Sequence, residues 1–200
     1  RSIRLLIVVG VGPGKSEYMS VRAYRTIKSA SKVFAFKRVK EELEDEFNHI
    51  EEVSVKDLKD IKEGVLLLSG DPSFFGAVDY LKREGIAIDE VIPSITAFQY
   101  LMSKAQVNWN EAKTYSLHGR ELDDGFESIV MNNDKVIVLC DKDNNPKAIK
   151  KYLDEKNIKR KYIVGTNLSQ SGEVIKTYDA DDEIDIENSL SVVIIINEVV

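Results

Sequence analysis

Val9-Gly10-Val11-Gly12-Pro13-Gly14-Lys15-Ser16 ends the first apolar run of the chain, residues 3–9. A strand-length apolar run bounded by glycines reads as a buried strand. The glycine-rich bend after it then reads as a turn at the carboxyl edge of a parallel sheet, where open α/β folds bind ligands. Three ligand readings compete for that bend. A dinucleotide fingerprint needs a third glycine at position 15, which is Lys15, and Pro13 has no N–H to offer a pyrophosphate. A phosphate-cradling loop ending in Gly14-Lys15-Ser16 needs its first glycine at position 9, which is Val9; Gly10 stands one residue late. The third reading is a tight bend whose backbone must approach something closely, so that a ligand crevice lies nearby.

Outward from that bend, short apolar runs alternate with amphipathic stretches. The spacing predicts helices over 20–30, 40–47, 76–83 and 96–105, with Val21, Tyr24 and Ile27 forming one face of the first. Strands are predicted at 33–36, 50–55, 65–68 and 91–92. Repeated β-α units imply a mainly parallel sheet with helices on both faces. After Trp109 the pattern restarts, with strands at 114–117, 136–139, 162–164, 173–178 and 192–198 and helices at 123–131 and 145–154. The strand at 173–178 follows the one at 162–164 with little room for a helix, so the second sheet is expected to be mixed. The expected fold class is therefore α/β, with an N-terminal α/β domain over 1–110 and a C-terminal one over 111–200.

Composition narrows the function. The 200 residues are 43% hydrophobic and 31% charged, a globular balance. A net charge of −6 gives no overall basic field, so a nucleic-acid or membrane-surface binder is not expected. The apolar runs are too short for a membrane span. The first one ends in glycines and does not read as a signal peptide. The chain opens on Arg1 rather than Met, which reads as trimming or processing. One cysteine, Cys140, and two histidines, His49 and His118, leave no intrachain disulfide and no Cys-rich metal site, so no metal is expected. A cytoplasmic protein fits this usage. The acidic run 179–187 and the basic set Lys147, Lys150, Lys151, Lys156, Lys159, Arg160 and Lys161 read as solvated surface.

Three further motifs carry chemistry. Ser69-Gly70-Asp71-Pro72-Ser73-Phe74-Phe75-Gly76 follows a second central strand; Pro72 forces Asp71 extended, leaving its carboxylate as an acceptor, a counter-charge or a turn cap. Pro93-Ser94-Ile95-Thr96-Ala97 opens a helix, whose free N–H groups suit an anionic ligand group or a simple hydroxyl cap. Leu117-His118-Gly119-Arg120 ends a strand of the second half; Arg120 suits a carboxylate and His118 can move a proton near neutral pH.

Read together with Val9 to Gly14, these motifs resemble the tetrapyrrole methylase family over nearly the whole chain. Leu117-His118-Gly119-Arg120 after Trp109-Asn110-Glu111-Ala112, Leu139-Cys140-Asp141 before Asn145-Pro146, and Gly165-Thr166-Asn167-Leu168 are most similar to the branch that methylates C5 of precorrins, with or without cobalt, on the way to cobalamin. The resemblance implies two α/β domains with a cofactor cleft between them, S-adenosyl-L-methionine as cofactor and a homodimer. It also implies a separate or absent subunit for C15 methylation with decarboxylation. It puts Pro13, Ser69, Gly70, Asp71, Thr96 and Ala97 at the cofactor, with Cys140 and Gly165 beside it. The expected acceptor is a tetrapyrrole carbon, enamine-like and already nucleophilic. Arg120 is the candidate carboxylate-binding residue, with Lys15, Arg22, Lys37 and Arg38 adding local positive charge. His118 is the candidate base. The rivals are methylation at another ring position, a diphthine-synthase-like protein methylase, a P-loop nucleotide hydrolase and a non-catalytic binding module.

Overall fold

The computed structural model describes residues 6–197, so the expected first strand has residues 3–5, and the last its residue 198, outside the described residues. By contacts the chain divides into two compact units, Arg1–Ala97 and Phe98–Val200.

The first unit is built on a five-stranded sheet. Its strands are β1 (Leu6–Gly10), β2 (Val33–Ala35), β3 (Ile50–Glu52), β4 (Gly64–Leu68) and β5 (Glu90–Ile92), in the order β3-β2-β4-β1-β5. Every pair is parallel, as β-α repetition requires. The central strands are apolar on both faces because both faces are covered. On one side, Val9, Val65 and Leu67 pack with Ala23 and Ile27 of α1 (Val21–Ser29) and with Val39 and Leu43 of α2 (Lys37–Leu43). On the other, Val8, Leu66 and Leu68 pack with Val78 and Leu81 of α3 (Val78–Arg83). The chain thus leaves β1 toward one face and β4 toward the other. The bends after β1 and β4 sit side by side at this reversal, where α/β sheets hold ligands.

The second unit comprises α4 (Ala97–Ala105), β6 (Lys113–Ser116), α5 (Asp124–Met131), β7 (Lys135–Leu139), α6 (Pro146–Glu155), β8 (Lys161–Thr166), β9 (Val174–Tyr178) and β10 (Ser191–Ile196). Its sheet runs β6-β7-β10-β8-β9 and is mixed: β6 and β7 are parallel, and β10 is antiparallel to both β7 and β8. The carboxyl ends of β6, β7 and β8 therefore lie along one edge. Asp123 caps α5 by accepting the Phe126 N–H, and Asn145 caps α6 by accepting the Ala148 N–H, ahead of Pro146 in the first turn.

Three expectations change in detail. Val21 is 65% exposed, so the inward face of α1 is Ala23 and Ile27; Val21 is its first residue, in the turn capped by Ser20. β3 stops at Glu52 because Asp57 turns the chain, accepting from both the N–H and the hydroxyl of Ser54 at 2.7 Å. Lys150 is buried rather than solvated. It pairs with Asp154 and lies over the ring of Tyr162. The acidic run does face solvent, with Asp179, Asp181, Asp185 and Glu187 paired to lysines on α6 and around the start of β8. Among the described residues no helix is long and apolar enough to cross a membrane.

Candidate active site

The two glycine bends of the first unit interlock. Gly12 donates its N–H to the Gly70 carbonyl at 3.2 Å, and Gly70 donates back to Gly12 at 2.8 Å. Both residues have positive φ, 77° and 65°, a conformation that glycine adopts without strain. Gly10 has no room for a side chain: a Cβ would stand 2.7 Å from the Gly70 oxygen and from Pro72 Cδ. Gly76 is equally obligatory, since a Cβ there would run into the Pro72 carbonyl. The phosphate-cradling reading fails on this geometry. The Gly12 N–H is already committed, and Lys15 leads into a single 3-10 turn, Ser16–Tyr18, rather than the helix such a loop needs.

A third bend joins the first two. Asp71 accepts the Ser73 N–H on one carboxylate oxygen at 2.8 Å and the Ser94 N–H on the other at 3.1 Å. Ser94 in turn donates its hydroxyl to the Tyr18 carbonyl at 3.4 Å. The Asp71 side chain therefore caps its own turn, one of the readings its sequence allowed, and also staples that turn to the bend at Ser94. Pro13 and Thr96 are buried, while Ser69, Gly70, Asp71 and Ala97 are half-buried. A Cβ on Gly70 would stand 3.8 Å from Thr96 Cα, an ordinary contact, so it is the positive φ rather than crowding that calls for glycine there.

Sequence reasoning missed Phe75. It holds φ at 47°, costly for a bulky residue, and is 52% exposed beside Phe74, with ring centroids 4.8 Å apart. The Pro72–Gly76 closure that forces this turn has no signature in residue types alone.

In the second unit His118, Gly119 and Arg120 are exposed at the end of β6. Their loop is anchored from β7. Asn144 donates its side-chain amide to the Arg120 carbonyl at 2.8 Å, and Asp141 accepts from the N–H groups of Asp143 and Asn144. Burial works against the charged form of Asp141. The N–H groups of Asn144, Asp143 and Gly119 outweigh it and hold the carboxyl below its usual range. The Arg120 guanidinium lies 5.0 Å above the Tyr115 ring, which orients it without neutralising it. Cys140 is 2% exposed in the core of the unit, and burial pushes its thiol pKa up, so it is no nucleophile. At Gly165 the position a side chain would take is filled by Leu101 and Leu168. Among the described residues no group of His, Cys, Asp and Glu could hold a metal.

Residues 5–182 match the family of tetrapyrrole (corrin/porphyrin) methylases. The chain belongs to that family. Among curated relatives of this tetrapyrrole methylase, the probable cobalt-precorrin-7 C(5)-methyltransferase of Methanocaldococcus jannaschii is 28% identical over 187 residues, 86% of this chain and 87% of the relative. The cobalt-precorrin-7 C(5)-methyltransferase of Salmonella typhimurium is 34% identical over 113 residues, 56% of this chain and 55% of its own. The fold is shared with the cobalamin-biosynthesis precorrin-6Y methylase of Archaeoglobus fulgidus (TM-score 0.72, 20% identity, 98% of this chain and 99% of that one). It is shared too with a uroporphyrin-III C-methyltransferase of Thermus thermophilus, solved with S-adenosylhomocysteine (TM-score 0.70, 20% identity, 96% of each).

Proposed function

We propose that this tetrapyrrole methylase transfers a methyl group from S-adenosyl-L-methionine to C5 of a cobalt-precorrin in cobalamin biosynthesis. The observation that carries the reading is the interlocked pair of bends at Gly12 and Gly70, stapled by Asp71 to the turn before α4. The full-length similarity to a probable C5-methyltransferase supports the choice of ring position.

When bound, S-adenosylmethionine supplies a methyl group already activated by its sulfonium charge, so the chain needs to provide neither a nucleophile nor a metal. What its residues provide is placement, which is worth up to several kcal/mol in a bimolecular transfer. Pro13, Ser69, Gly70, Asp71, Thr96 and Ala97 form the cofactor-binding surface, and the family resemblance adds Cys140 and Gly165. Arg120, held over Tyr115, binds carboxylates of the tetrapyrrole. His118 stands on the same loop. The working form is a cytoplasmic homodimer, and C15 methylation with decarboxylation falls to a separate subunit.

Calorimetry with S-adenosylhomocysteine and, separately, with Mg-ATP tests the reading. Binding of the thioether nucleoside alone is expected; binding of ATP alone overturns it. A transfer assay with labelled methyl donor and cobalt-precorrin-7, its product located by NMR, tests the ring position. Light scattering of the purified protein tests the dimer.

A further inference from the structure

Ser116, the last residue of β6, is 5% exposed, and its hydroxyl meets two groups of one residue. The His118 backbone N–H donates to the hydroxyl oxygen at 3.4 Å, and His118 Nδ1 lies 3.1 Å from the same oxygen. A buried hydroxyl needs an acceptor for its own hydrogen. Nδ1 is the acceptor this hydroxyl has in the structure. In the tautomer that satisfies this hydroxyl, its hydrogen points at Nδ1 and the neutral imidazole carries its proton on Nε2. The ring is exposed, so the atom it offers outward is an N–H donor, not a lone pair.

We propose that His118, set in this tautomer by Ser116, is a substrate-recognition donor to a carboxylate of the tetrapyrrole, rather than a base that takes a proton from the methylated ring. Ser116 is its positioning residue. The inference rests on the functional reading above and deepens it. It fits the chemistry: the enamine-like carbon attacks the sulfonium methyl, the S–CH3 bond breaks and S-adenosylhomocysteine leaves, and the resulting iminium is acidic enough to give its proton to water, while a ring rich in carboxylates needs donors.

Steady-state methyl transfer to cobalt-precorrin-7 separates the two roles. His118→Ala is expected to raise the tetrapyrrole KM about tenfold, leaving kcat and the S-adenosylmethionine KM within about twofold. His118→Gln keeps a side-chain N–H near the Nε2 position and takes up no proton, so it should bring the tetrapyrrole KM back to within about twofold of the unaltered enzyme. Ser116→Ala should raise that KM about threefold, and Ser116→Thr should restore it. A fall in kcat of about a hundredfold in both the Ala and Gln variants of His118 would show a base and overturn the proposal. So would unchanged kinetics in both. Transfer by the unaltered enzyme is the internal control: were it absent, with no S-adenosylhomocysteine bound, the functional reading itself would fall.

Discussion

The two units build their loop clusters from different materials. In the first, the bends after β1, β4 and β5 are held by backbone: a reciprocal pair of N–H···O bonds between glycines, with a carboxylate clamping two more amides. In the second, the loops after β6 and β7 are held from beneath by Asp141 and Asn144, and present His118, in contact with Ser116, and Arg120, over Tyr115, as exposed side chains. The difference teaches where change is tolerated. A surface made of backbone has no residue to exchange without moving the chain, so it suits a ligand that stays the same. A surface made of side chains can be re-specified one residue at a time, so it suits recognition of a particular ring.

The contrast can be broken most sharply at Gly10. Gly10→Ala pushes a methyl group into Gly70 O, Pro72 Cδ and Ser94 Cβ, and should cost about 3 kcal/mol in denaturant unfolding and abolish S-adenosylhomocysteine binding by calorimetry. If this variant melts and binds normally, the first cluster is no tighter than the second. Asp71→Ala orphans the Ser73 and Ser94 amides; a loss of about 2 kcal/mol in stability and roughly tenfold in cofactor affinity is expected. Arg120→Ala should do the reverse, raising the tetrapyrrole KM about tenfold, or about 1.4 kcal/mol, with no shift in melting temperature. A weakened cofactor affinity in that variant would blur the division of labour. Asn145→Ala probes the scaffold below the second cluster and should cost about 1 kcal/mol through the lost cap of α6, leaving cofactor affinity alone. Smallest of all, native Cys140 should resist iodoacetamide at pH 8 over hours, by mass spectrometry, and react once unfolded.

Much of this was legible in the residues. Alternation of apolar runs with amphipathic stretches returned the strands and the longer helices in order, because a doubly covered parallel strand is apolar throughout. The helices expected from 20, 123 and 145 on periodicity do start there, where Ser20, Asp123 and Asn145 each accept an N–H of their own first turn. What was not legible depends on distant partners. The staple from Asp71 reaches Ser94, and the exposure of Val21 depends on where the helix axis settles against β1 and β4. The Ser116–His118 contact is local in sequence, yet its meaning comes from burial of the hydroxyl, which the residue types alone do not reveal.

The order β3-β2-β4-β1-β5 places the earliest-made strand between two late ones. During synthesis Leu6–Gly10 must wait for Gly64–Leu68 on one side and Glu90–Ile92 on the other before either of its ladders can form. Translation therefore leaves a bare, strongly apolar ribbon exposed for most of the time the N-terminal half takes to emerge from the ribosome. The strand that waits longest for its partners is the one whose end carries the glycine bend.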